Sequence, residues 1–147
     1  MSDLIRTDDA LQEIVDDHLE LRTTLQDVSR LLLDEHDVNE ARRLVHQFVG
    51  QLARHFHREE QGGYFRDFAD RAPQLARLAT SLEREHPKLL RCLREIDAQL
   101  EECQRSPQDL AKVAAEFQRF ATAITSHEED EHRLLQESYN SELGCSD

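Results

Sequence analysis

The stretch LARLATSLEREHPKLLRCLREIDAQL, residues 75–100, decides the fold. Its apolar positions fall at Leu75, Leu78, Leu82, Leu89, Leu93, Ile96 and Leu100, in steps of three and four, with His86 standing in the one gap. That spacing lines up one face of an amphipathic helix. The same alternation runs through Leu11, Ile14, His18, Leu21, Leu25, Val28 and Leu32, and then through Ala41, Val45, Phe48, Leu52, His55 and Glu59. It returns at Leu110, Val113, Phe117, Phe120, Ile124, His127, Glu131 and Leu134. Four helices are expected, over roughly 8–33, 39–67, 74–103 and 107–138, followed by a polar tail at 139–147.

The connections support this reading. Ser106-Pro107-Gln108-Asp109 offers a serine N-cap, a proline at the first helical position and an acid in the first turn. Asp37 or Asn39 can cap the second helix, while Gly62-Gly63 and Arg71-Ala72-Pro73 bracket the turn into the third. Short connections make successive helices antiparallel neighbours, so the expected fold is all-α, an up-down-up-down four-helix bundle. Residues 1–147 suit a single domain, which at this length buries roughly two-thirds of its unfolded surface. Pro87 removes a backbone donor directly after His86 and should bend the third helix there.

The net charge of -13 argues against nucleic acid as a partner, because phosphate binding needs clustered lysine and arginine, and it disfavours anionic membrane surfaces for the same reason. No apolar run approaches the length of a membrane span, and no basic region precedes an apolar run at the N-terminus. Cys92, Cys103 and Cys145 form neither a Cys-x-x-Cys pair nor an even-numbered framework, so reduced thiols and a cytoplasmic location are expected. Cys92 and Cys103 read as small apolar packing residues.

Six residues interrupt the stripes where leucine or valine is called for: His18, His55, Glu59, His86, His127 and Glu131. They form a repeat. A lone histidine is followed 37 residues later by His-x-x-x-Glu, and a second lone histidine 41 residues later by another. Carboxylates and imidazoles buried together in an apolar interior need partners, and metal cations satisfy all of them at once. Residues four apart on a helix are neighbours, so each His-x-x-x-Glu can serve one site. Two glutamates can bridge two metals about 3.5–4 Å apart, leaving two imidazoles for each. Mixed nitrogen and oxygen ligation suits iron, with zinc or manganese possible. A ferritin-like ligand set would instead use Glu83-Arg84-Glu85-His86 and Glu129-Asp130-Glu131-His132, but those motifs lie on consecutive helices and Glu129 falls off the stripe. His36, His46 and His57 are also off the stripes, and His132 reads as peripheral or as a neighbour of the ligands.

Asp17-His18-Leu19-Glu20-Leu21-Arg22, His55-Phe56-His57-Arg58-Glu59-Glu60, Glu85-His86-Pro87-Lys88-Leu89 and His127-Glu128-Glu129-Asp130-Glu131 together resemble the bacterial hemerythrin-like His-His-Glu cation-binding domains over nearly the whole chain. The resemblance implies a hemerythrin-like bundle with a non-haem site of two iron ions, cycling between ferrous and ferric and bridged by an oxo or hydroxo group. His18 and His55 would bind one iron, His86 and His127 the other, and Glu59 with Glu131 would bridge them. Oxygen-carrying hemerythrins have a fifth histidine one turn after the His86 position, where this chain has Leu90. Their last bridging acid lies five residues after the final histidine, where this chain has His132, so the bridge falls to Glu131.

Fewer protein ligands leave coordination positions open, which favours reactivity over reversible storage. The expected partner is a small oxidant: dioxygen, hydrogen peroxide or nitric oxide. No amino-acid general acid stands out, so the metals would carry the chemistry, with His132 or Tyr64 acting from beside the ligands. A metal store or sensor without turnover, a reversible oxygen carrier, and a metal-free interaction bundle are the alternatives.

Overall fold

The computed structural model describes residues 2–62, 66–67, 70, 72–102 and 106–144, with side chains described between positions 12 and 137. The four stripes become four helices: α1 (Ser2–Leu33), α2 (Val38–Gln61), α3 (Ala76–Glu102) and α4 (Pro107–Gly144). A 3-10 turn, Pro73–Leu75, leads into α3. No strand occurs among the described residues. Each helix packs on the next, and α1 also meets α4, which closes the bundle.

The helix ends follow the capping chemistry. Asp37, rather than Asn39, caps α2, accepting from the Glu40 N–H at 3.2 Å. Ser106 Oγ accepts from the Asp109 N–H at 3.1 Å. Arg30 O takes the Asp34 and Glu35 N–H groups and Leu31 O takes that of Asp37, with His36 in the left-handed region at φ 52 to turn the chain back. At the other end of α2 the Gly62 N–H reaches back to Arg58 O and Glu60 O, so this helix stops at Gln61 instead of running to 67. Gly62 stands at that stop, and glycine weakens helix propagation.

Two outer ends run longer than expected. α1 starts at Ser2, not near 8. The fourth helix, expected to end near 138, continues into the polar tail as far as Gly144, since nothing between 139 and 143 breaks a helix already propagating. α3 continues unbroken through Pro87. Its buried stripe starts Leu75, Ala79, Leu82, in steps of four and three, and Leu78, expected on the stripe, is only half-buried.

The interior is layered. Leu21, Val28, Val45, Phe48, Leu52, Leu93, Phe117 and Phe120 belong to a large apolar cluster toward one end, while Ala72, Leu75, Ala79, Leu82 and Leu134 form a small one toward the other. Between them lie the six polar interruptions of the stripes. Cys92 is exposed rather than packed inside: it sits one residue, or about 100°, off the Leu89–Leu93 stripe. Cys103 and Cys145 lie outside the described residues. No described helix is long and apolar enough to cross a membrane.

Candidate metal centre

His18 on α1, His55 and Glu59 on α2, His86 on α3, and His127 and Glu131 on α4 are each no more than 4% exposed. Their stripes bring all six to one level of the bundle. The donor atoms gather into two sets, His18, His55, Glu59 and Glu131 in one, and His86, His127 and Glu131 in the other, with every atom of a set within 4.8 Å of the rest. Glu131 belongs to both. Its Oε1 lies 2.5 Å from His127 Nε2 and 3.8 Å from His86 Nε2, and its Oε2 lies 3.0 Å from His18 Nε2. Glu59 Oε1 meets His55 Nε2 at 2.5 Å, and the Nε2 atoms of His18 and His55 face each other at 3.1 Å.

Close approach does not produce good hydrogen bonds here. Glu59 Oε1, His127 Nε2 and both oxygens of Glu131 are buried without a hydrogen-bond partner of proper geometry among the described residues. Converging acceptors of this kind, mixed nitrogen and oxygen, fit a cation of the iron, zinc or manganese class. The electrostatics carry the same signature. Burial, and then the Glu131 carboxylate beside it, push Glu59 well above the usual carboxylate range. Burial acts to raise Glu131 too, but the imidazoles of His127, His18 and His86 outweigh it and hold that carboxyl well below the range. Burial presses His127 downward, yet Glu131 together with Glu85 raises it to about 9.

A second ring of residues orients the first. The acid just before each lone histidine accepts from the paired histidine of the next helix: Asp17 Oδ2 from His55 Nδ1 at 3.1 Å, and Glu85 Oε2 from His127 Nδ1 at 2.6 Å. The residue just after each glutamate serves the lone histidine of a neighbouring helix: Glu60 Oε1 on α2 lies 3.0 Å from His86 Nδ1 on α3, and His132 Nε2 on α4 lies 3.1 Å from His18 Nδ1 on α1. Outer bonds to Nδ1 turn every Nε2 inward. Arg58 Nη1 donates to both oxygens of Asp17 at 2.9 Å and anchors that link at the surface. Phe56 stacks on the His86 ring, centroids 4.0 Å apart and 8° from parallel, and meets His127 edge-on at 5.6 Å.

The hemerythrin HHE cation binding domain matches residues 9–137, a span that takes in both rings. The chain belongs to that family. No match was found among curated proteins or among solved structures. In this hemerythrin HHE domain the position one turn after His86 is Leu90, half-buried and packed against the large apolar cluster, and it offers no ligand. His36, His46 and His57 are exposed. Glu129 is exposed as well, which leaves the ferritin-like set without one of its members inside.

The sequence reading missed Asp17, Glu60 and Glu85 as partners of the imidazoles, although an acid directly before each lone histidine was a signal repeated in both halves. It also missed Phe56 and Glu128, both buried off the stripes, Glu128 with its carboxyl raised by burial. Tyr64 lies outside the described residues. A groove of about 880 Å³ is lined by residues such as Leu32, Val38, Leu110 and Ala114 at the far end of the bundle, and none of the six inner residues borders it. A smaller polar cavity of about 180 Å³, between Asp17, Gln51, Arg54 and Arg58, reaches His55.

Proposed function

We propose that this hemerythrin HHE domain is a non-haem di-iron protein that binds or reacts with a small oxidant, dioxygen, peroxide or nitric oxide. The observation that carries the reading is the Glu131 carboxylate shared between two buried histidine sets. His18 and His55 would hold one iron and His86 and His127 the other, with Glu131 and Glu59, whose carboxyls lie against each other, between them. Iron there would supply one-electron redox chemistry and open coordination positions. The protein's own residues do the rest: Asp17, Glu60 and Glu85 fix three of the imidazoles and His132 the fourth, Phe56 and the two apolar clusters keep bulk water away, and Leu90 withholds a further ligand on the His86 side. A reducing compartment such as the cytoplasm suits ferrous loading and the unpaired Cys92 thiol, and the charge of -13 disfavours nucleic acid.

Anaerobic loading with ferrous iron, followed by air or peroxide, tests the reading. We expect two irons per chain by metal analysis and a ferric charge-transfer band in the near ultraviolet after oxidant is added. Two irons with no such band would make the chain a metal store or sensor, and no uptake would remove the metal function.

Uptake is also expected to tighten as pH rises from about 6.5 toward 9. His127 is raised from 6.5 to about 9 in the metal-free protein, so the stability it contributes is complete below 6.5 and is lost as pH climbs through about 9. A metal must displace that proton. Zinc affinities measured across this pH window would contradict the expectation if they stayed flat.

A further inference from the structure

Three of the four inner imidazoles have a carboxylate at Nδ1, and one does not. Asp17, Glu60 and Glu85 serve His55, His86 and His127, whereas His18 has His132. The internal repeat makes this departure specific. Glu60 follows Glu59 and reaches the lone histidine of α3; His132 follows Glu131 and reaches the lone histidine of α1, from the position where the repeat puts an acid. His18 Nε2 faces inward, 3.0 Å from Glu131 and 3.1 Å from His55, and its Nδ1 lies against His132 Nε2; with a metal on Nε2 the remaining Nδ1–H would donate outward to His132.

We propose that His132 is a positioning residue for His18, and that its neutral ring sets the metal position His18 serves apart from the other. This rests on the two-metal reading above. A carboxylate acceptor pulls on the Nδ1 hydrogen and makes Nε2 a stronger donor to a metal, and such charge-assisted bonds are about twice as strong as neutral ones. An imidazole acceptor orients His18 equally well but enriches it less. The His86–His127 position then has two carboxylate-backed imidazoles, and the His18–His55 position has one.

The experiment is a cobalt(II) titration of the metal-free protein followed by visible absorption, for the wild type and for His132→Leu, His132→Gln and His132→Glu. His132 is exposed, so these changes remove little packing, and helicity by circular dichroism checks that each variant is folded. We expect two binding steps, of which only one responds. That step should weaken about 10- to 100-fold in the leucine variant, which has no acceptor, and stay within about threefold in the glutamine variant, which keeps a neutral one. In the glutamate variant it should tighten about tenfold. Leucine and glutamine variants that behave alike, or four proteins with the same two affinities, would overturn the role of His132 while leaving the two-metal centre intact. A wild type that binds fewer than two cobalt ions would overturn the two-metal reading and this inference with it.

Discussion

Glu131→Ala is expected to leave at most one metal per chain and to abolish the gain in thermal stability that metal gives the wild type. The carboxylate touches three imidazoles from three helices and is the one group common to both histidine sets. Without it His86 and His127 keep no carboxylate of their own set, and two nitrogens alone are a poor site for a hard or borderline cation. Metal binding to the folded state alone stabilises by about 4 kcal/mol when free metal stands 1,000-fold above its dissociation constant. For a chain of this size that is a rise of roughly 10 °C in Tm. Metal analysis paired with melts in the presence and absence of a chelator reads both effects. Glu131→Gln, which keeps the volume and loses the charge, separates ligation from packing. Two tightly bound metals in both variants would remove Glu131 from the centre.

Phe117→Ala is expected to do the reverse, lowering stability by about 3–5 kcal/mol without changing metal stoichiometry. Phe117 is fully buried, its ring 6.0 Å from that of Phe120, which in turn meets Phe48 edge-on at 5.8 Å. Truncation would leave a cavity across three packed rings, and the helices around it cannot collapse without disturbing their other contacts. Along α4 the position is about 15 Å from His127, too far to move a ligand directly. Urea denaturation at fixed metal, with metal analysis of the folded protein, checks the pair of expectations. A loss below about 1 kcal/mol would mean that this aromatic layer is not where the bundle is anchored.

The contrast between these substitutions also explains what could be read from the chain. The stripes were legible because a 3.6-residue period is imposed by the helix itself, and the six inner residues were legible because polar groups on a stripe are conspicuous. Caps at Asp37 and Ser106 were legible for the same local reason. Glu60 and Glu85 were not. Their side chains are 48% and 37% exposed, and in a chain where a third of residues are charged they look like ordinary solvated acids. Only the fold brings them against imidazoles of other helices. Ala79 takes the place expected of Leu78 because a strict alternation of four and three from Leu75 runs through the small alanine rather than the larger leucine, and Cys92 turned outward because it lies one residue off that stripe.

The polar layer has a further consequence for motion. It divides the apolar interior unequally: among the described residues 18 buried apolar side chains cluster on one side and five on the other. Opening free energy tracks such contacts, so the end beyond the layer, with the start of α3, opens more readily than the anchored end. For the small oxidant proposed above, that brief breathing would be enough to enter. The layer would then be approached from two sides, through the small polar cavity that reaches His55 and through brief opening at the weaker end.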